Sequence, residues 1–274
     1  MKKGGKIALA LVFATSLGLN IWHFSVRRPL SPAMGTGVNA DYQQTEDGGG
    51  QSSFRIATFN IHRCKGLDDV KSCQRIADAI KGLDIVALNE VGGGNLLFPS
   101  NQAEELGKLL ETGWLFLPNQ ERYFSEHFGN GLLTSLEVTR WFREQLVHNR
   151  ERSRSHRNLT TIALQFDGRP MQVLVTHLDR GDIRSDQLHY VLEKFGQCQH
   201  CILLGDFNTQ RTDPRLDRLL QDQRVTDAIG AALGAEDPPR IDWIFTKGFR
   251  VVDGGWVPLG ISDHPMFWVE LAFE

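Results

Sequence analysis

Acids, amides and histidines recur at the ends of short apolar runs in this chain. Thr58-Phe59-Asn60-Ile61-His62 closes one run, and Asp84-Ile85-Val86-Ala87-Leu88-Asn89-Glu90 closes a second. Thr176-His177-Leu178-Asp179, Leu204-Gly205-Asp206-Phe207-Asn208, Arg240-Ile241-Asp242 and Ser262-Asp263-His264-Pro265 complete the set. Carboxylates with amide and water oxygens suit hard divalent cations such as Mg2+ or Mn2+. A histidine beside a carboxylate can bind an anion or move a proton. Asp and Asn at strand ends are also common turn formers and caps, so each string taken singly is weak.

These residues need a rigid support, and the apolar runs supply it. Phe54–Ile61, Ile85–Leu88, Leu159–Phe166, Met171–Thr176, Cys201–Leu204, Ile241–Phe245 and Met266–Leu271 read as strands. Val70–Ile80, Glu104–Leu110, Arg184–Phe195 and Pro214–Leu220 carry apolar residues at three- and four-residue steps and read as helices. The mixture predicts an α/β domain. Periodicity leaves open whether its sheet is doubly wound or split into two packed sheets. Strand ends that meet at one sheet edge would gather the polar strings into a cleft.

Taken in order, ATFNIH, DIVALNEV, GNGLLTS, THLD, LLGDFN, RIDWIF and SDHP resemble the endonuclease/exonuclease/phosphatase superfamily over about residues 54–274. The resemblance implies a four-layered α/β sandwich, two packed and mostly antiparallel β-sheets flanked by helices, with the site at one edge. It also implies roles. Glu90 is the first choice for a direct metal ligand, with Asn60 and Asp263 close to the same Mg2+ (or Mn2+) or its waters. Asp206 resembles the residue that orients or deprotonates the attacking water, and Asn208 the amide that donates to a phosphate oxygen. His264 resembles the histidine that meets the scissile phosphate, with Asp242 orienting it and raising its pKa. His177 is the second histidine, a phosphate contact or a proton donor to the leaving group. Asp179 either closes a turn or pairs with Arg180 or Arg184, and His62 reads as a loop residue.

Two departures from the family pattern stand out. Asn89 occupies the place of a more usual glutamine and reaches less far. Gly131-Leu132-Leu133-Thr134-Ser135 lacks the arginine that often follows. The run Arg140–Arg157 is a candidate replacement, with Arg157 favoured as a substrate contact because it leads into the strand at Leu159. The alternative for the run is a solvated loop and helix face. Four cysteines allow two disulfides, most simply Cys64 with Cys73 and Cys198 with Cys201. Zinc at Cys198-Gln199-His200-Cys201 lacks an evident second ligand pair.

The uncharged segment 7–26, between Lys2, Lys3, Lys6 and the pair Arg27, Arg28, is long enough for a bilayer helix. Residues 1–28 are therefore expected to be a membrane anchor or signal segment, 29–53 a Pro- and Gly-rich flexible linker, and 54–274 the catalytic domain. The domain would then lie outside the cytoplasm, membrane-anchored or alternatively secreted, and is expected to be monomeric. Five of the 30 basic and three of the 33 acidic residues fall before residue 54, so the rest is acidic, unlike most sequence-blind DNA binders. The leading expectation is a Mg2+-dependent hydrolase of phosphodiesters, narrowly a nuclease, whose partner is nucleic acid or a lipid headgroup. The alternatives are a phospholipid or sphingolipid phosphodiesterase, an inositol-phosphate phosphatase, and a catalytically inactive binding module.

Overall fold

The computed structural model describes residues 12–18, 28–40, 52–95, 99–121, 126–149 and 155–274. Its strands are β1 (Arg28–Pro29), β2 (Ala33–Gly35), β3 (Phe54–Asn60), β4 (Ile85–Gly93), β5 (Gly113–Pro118), β6 (Gln120–Glu121), β7 (His127–Thr134) and β8 (Val138–Gln145). They continue as β9 (Asn158–Phe166), β10 (Arg169–His177), β11 (Cys201–Asp206), β12 (Thr226–Asp227), β13 (Asp242–Lys247), β14 (Phe249–Val257) and β15 (Met266–Phe273). The helices are α1 (Cys73–Ile80), α2 (Gln102–Leu110), α3 (Ile183–Gly196), α4 (Pro214–Leu220) and α5 (Ala228–Leu233).

Two sheets pack face to face. One runs β14-β15-β3-β4-β7-β5 and the other β12-β13-β11-β10-β9-β8-β2. Each contains one parallel pair, β3 with β4 and β10 with β11, and the remaining pairs are antiparallel. A parallel pair needs a crossover, which α1 and α3 supply. Ile56, Ile85, Leu132, Val173, Ile202, Ile244 and Phe267 fill the space between the sheets. The outer faces bury a second cluster with Ile76, Ile80 and Leu106 from α1 and α2, and a third with Leu188, Val191 and Phe195 from α3. The result is the expected four-layered sandwich.

Local chemistry sets the helix limits. Ser72 caps α1 by accepting from Arg75 N at 3.3 Å, and Cys73, Ile76, Ala77 and Ile80 form its buried stripe. Asn101 caps α2 through Glu104 N at 2.9 Å. Strands β5, β7, β8 and β14 were not legible as apolar runs. Glycines interrupt β7 and β14, β8 is polar, and β5 keeps alternate residues partly exposed.

The N-terminal expectations change. Of the segment 7–26, only residues 12–18 are described, as a helical stretch. Among the described residues no helix is long and apolar enough to cross a membrane. Membrane anchoring through 7–26, and the location and membrane partner deduced from it, are therefore withdrawn. The stretch 29–53 is also not a flexible linker throughout. β2 adds to the edge strand β8, Asn39 bridges Trp114, and Arg143 donates to Ser31 O at 2.9 Å. Edge pairing supplies backbone hydrogen bonds to a sequence too polar to bury itself. Residues 41–51 lie outside the described residues.

Cys198 and Cys201 form a disulfide, whereas Cys64 and Cys73 are buried free thiols whose Sγ atoms lie 2.9 Å apart. The Cys73 hydrogen bond and burial push the Cys64 thiol far above its ordinary value. Oxidation should close this pair with little backbone movement and add about 2–3 kcal/mol through loop closure. Thiol titration should find both groups consumed with a rise in Tm that Cys73→Ser abolishes; an unchanged Tm after full oxidation would mean the reduced turn is already equally constrained.

Candidate active site

The topology explains why distant strings meet. Asn60 and Glu90 lie at the C-terminal ends of the parallel pair β3/β4, and His177 and Asp206 at the C-terminal ends of β10/β11. β13 runs antiparallel to β11, so its first residue, Asp242, pairs with Asp206. β15 runs antiparallel to β3, which brings the preceding Asp263 and His264 to the same edge.

Asp206 is the centre of the arrangement and is fully buried. Its Oδ2 accepts from Asn60 Nδ2 at 3.1 Å and lies 3.3 Å from His177 Nε2 and 3.7 Å from His264 Nε2. Its Oδ1 accepts from the backbone N of Asn208 at 2.8 Å. Burial, then the neighbouring Asp242 charge, push its pKa up to about 7. Burial opposes protonation of His264, but the 2.8 Å hydrogen bond of its Nδ1 to Asp242 and the surrounding carboxylates outweigh that and raise it to about 9. His264 is thus cationic and its Nε2 points toward Asp206. His177 is the opposite case. Burial, with Arg157 nearby, drives its pKa well below the ordinary histidine value, so the imidazole is neutral.

Asn89 does not face the cleft. Its Nδ2 donates to Thr176 O at 3.1 Å and Asn130 Oδ1 at 2.9 Å, while its Oδ1 accepts from Asp206 N at 2.8 Å. It ties one sheet to the other directly beneath the site. Gly205 fits this crowded point, since a Cβ there would meet Thr176 O of the paired strand β10 at 1.8 Å and Asn89 Oδ1 at 3.3 Å. Arg240 is buried among Asp227, Asp237 and the face of Trp243, and anchors the strand that carries Asp242.

Above this layer is a cleft of about 450 Å3, lined by Glu90, Asp263, Arg157, Arg180, Arg63 and Phe128 among others. The register of β4 against β7 shifts between Leu88 and Val91, and within that bulge Glu90 takes φ of 56°. A bulge re-aims a side chain, and a left-handed glutamate is strained, a combination found at functional sites. The Glu90 carboxylate has no hydrogen-bond or ion-pair partner among the described residues, and Asp263 lies 3.6 Å from His62 Nδ1. Two open carboxylates on one cleft fit a hard, oxygen-preferring divalent cation. Asp206, Asp242 and His264 also lie within 4.8 Å of one another. There the histidine is protonated and already held by Asp242, which makes it a poor metal ligand.

Arg157 is buried, with Nε and Nη1 unpartnered among the described residues; burial lowers its pKa, and the charges of Asp179, Asp206 and Glu90 oppose that. The remaining arginines of its run divide. Arg140 and Arg143 lie in β8, and Arg150, Arg152 and Arg154 lie outside the described residues. Asp179 closes a turn by accepting from Arg180 N at 2.8 Å. Asn208 has φ of 49°, and its Nδ2 donates to Leu178 O at 2.9 Å and faces His177 Nε2 at 3.2 Å. Arg180, whose Nε donates to Asn208 Oδ1 at 3.3 Å, and Arg63 are cleft residues that sequence reading passed over. Arg63 directly follows the His62 of the first string, a signal that was present.

The chain matches the model of the "Endonuclease/Exonuclease/phosphatase family" over residues 57–264. No curated protein matches it. Among solved structures it is similar to an endonuclease/exonuclease/phosphatase from Beutenbergia cavernae DSM 12333, at 23% identity and TM-score 0.65, over 81% of this chain and 72% of that one. It is also similar to D. rerio TDP2 complexed with single strand DNA product, at 16% identity and TM-score 0.61, over 81% and 99%. A third is the Bacteroides thetaiotaomicron VPI-5482 mannosyl-6-phosphatase Bt3783, at 17% identity and TM-score 0.63, over 80% and 100%. Identities this low speak to the fold alone, whereas the family match spans most of the catalytic strings. The chain belongs to the endonuclease/exonuclease/phosphatase family and is a phosphoester hydrolase.

Proposed function

We propose that this hydrolase cleaves phosphodiester bonds of nucleic acid, using a water activated by Asp206 in a cleft that holds Mg2+ or Mn2+. The observation that carries the reading is the position of the Asp206 carboxylate. It lies within 4 Å of a cationic histidine and a neutral one, beside a cleft with two open acids and a buried arginine whose Nε and Nη1 have no partner among the described residues. TDP2 with its single strand DNA product supports a nucleic-acid substrate by analogy of fold. The lipid alternative drew on the membrane segment and loses that support.

Glu90 and Asp263, with Asn60 alongside, would hold the cation, which would supply charge neutralisation for the phosphate and for the leaving oxygen. The protein's own groups do the rest. Deprotonated Asp206 accepts a proton from the water that attacks phosphorus. Arg157 offers Nε–H and Nη1–H to non-bridging oxygens in a geometry suited to phosphate. Asn208 Nδ2 can turn from His177 toward a third oxygen. His264, held cationic by Asp242, meets the negative charge that grows in the transition state. His177 is too deeply buried and too weakly basic to be the leaving-group acid. It orients Asp206 instead, through the 3.3 Å contact of Nε2.

Hydrolysis of a bis-aryl phosphodiester and of single-stranded DNA should require Mg2+ or Mn2+ and be lost on chelation. Asp206→Ala and His264→Ala should each lower kcat by about 10²–10⁴-fold. Retention of turnover in both variants would sink the mechanism. Glu90→Gln should raise the metal concentration needed for half-maximal rate by about tenfold or more, leaving the fold intact by circular dichroism.

The pH profile carries the signs of two shifts. Asp206 must be ionised, so the rate rises as pH passes about 7, or lower once the cation is bound; His264 must be protonated, so the rate falls as pH passes about 9. Asp242→Asn removes the group that raises His264, and the alkaline limb should move to lower pH by about one unit or more. An alkaline limb that stays in place would assign it to another group.

A further inference from the structure

The cleft contains more cationic groups than one phosphodiester uses, and they come from opposite sheets. Arg157 precedes β9 and Arg180 follows β10, both in the seven-stranded sheet, and they flank Asp206 and Asn208. Arg63 belongs to the other side. It follows β3 of the six-stranded sheet, and its guanidinium carbon lies 5.0 Å from the ring centroid of Phe128 in β7.

The way Arg63 is held is specific. His62, Arg63 and Cys64 take φ of 44°, 55° and 57°, three consecutive left-handed non-glycine residues. Each such residue costs of order 1–3 kcal/mol, so the surroundings must hold the turn. They do: Gln102 Nε2 donates to Arg63 O at 2.7 Å, Lys65 N to His62 O at 3.1 Å, and Ser72 N to Cys64 O at 2.8 Å. Gln102 itself is anchored by accepting from Gly92 N at 2.7 Å, two residues beyond Glu90. The backbone of Arg63 is thereby coupled to the strand end that carries Glu90. Its guanidinium makes no hydrogen bond among the described residues, and its Nε is buried without a partner. A purely structural cation–π contact would not need a strained turn aimed at a polar cleft. A guanidinium held over an aromatic face still has its N–H groups available for a planar or tetrahedral anion.

We propose that Arg63, stacked on Phe128, is a second anion subsite that takes a phosphate group neighbouring the scissile one, so that ligands with two adjacent phosphates are favoured over ligands with one. The inference rests on the phosphodiester reading above. The second phosphate can be a terminal monoester or the next diester of a strand, and both present the same non-bridging oxygens to Arg63.

Equilibrium binding tests the subsite independently of turnover. Thymidine 3′,5′-bisphosphate and the two thymidine monophosphates would be titrated calorimetrically into the full chain and into Arg63→Ala and Arg63→Lys. Wild type should bind the bisphosphate about tenfold or more tightly than either monophosphate. Arg63→Ala should reduce that ratio to about threefold or less, and Arg63→Lys should restore only part of it, with Tm of all three proteins compared. Equal affinities in the wild type, or a preference that survives Arg63→Ala in a protein of unchanged Tm, would overturn the subsite. A bisphosphate preference lost in Arg63→Ala, without hydrolysis of any diester, would uphold the subsite and reject the phosphodiester reading instead. Competition by a 5′-phosphorylated dinucleotide against an unphosphorylated trinucleotide identifies the source. A terminal phosphate favours the first, a neighbouring diester the second.

Discussion

The Asn89 amide is the interaction on which the site depends. One side chain accepts from the backbone of Asp206 in the seven-stranded sheet and donates to Thr176 in the same sheet, while sitting in β4 of the six-stranded one, at the last pair of the β3/β4 ladder. Both sheets twist, and nothing in their apolar interface alone would set their relative height to a fraction of an ångström. A buried amide must satisfy its donors and acceptor, so it admits only the alignment in which all three bonds form. Gly205 leaves room for the bridge, since a Cβ there would meet Thr176 O of the paired strand at 1.8 Å and crowd Asn89 Oδ1 at 3.3 Å. The departure from the family's usual glutamine fits this role, because a shorter amide suits a close bridge.

Once the edges are aligned, backbone strain aims the groups. Glu90, His62 and Arg63 take left-handed φ values and line the cleft, and Asn208, also left-handed, accepts from Arg180 at its edge. The long ladders of β9 with β10 and β4 with β7, and the three buried cores, supply the stability against which such strain is stored. A mobile support could not hold it.

Electrostatics then separates groups of like type. His177 and His264 both lie within 4 Å of the same Asp206 oxygen, yet one is neutral and the other cationic. The difference is a partner. Asp242 bonds His264 directly, whereas His177 Nδ1 is buried without a partner and Arg157 adds a repulsive charge. Asp206 and Asp242 are both buried carboxylates that burial raises, but Asp242 bonds His264 Nδ1 at 2.8 Å whereas Asp206 Oδ2 is shared among Asn60, His177 and His264 at 3.1–3.7 Å. Environments that push pairs of titratable groups apart are how acid and base roles are divided at one pH.

Much of this was legible in the chain. Apolar runs ending in Asn60, Glu90, His177, Asp206 and Asp242 identified both the strands and the residues now gathered at one edge, because burial patterns and residue chemistry are local properties. Strands β5, β7, β8 and β14 escaped because glycines or polar residues blunt their alternation, and their membership is decided by neighbours in the sheet. The apolar segment 7–26 misled because hydropathy records what could enter a membrane, and among the described residues no helix is long and apolar enough to cross one. Residue types and order thus determined the family, the α/β class and the inventory of polar groups gathered at the site. Tertiary structure alone decided that Glu90 turns into the cleft, that His177 stays neutral and that Arg63 stands across from Arg157. Those outcomes depend on φ, desolvation and distance between chain segments far apart in sequence, which no local pattern encodes.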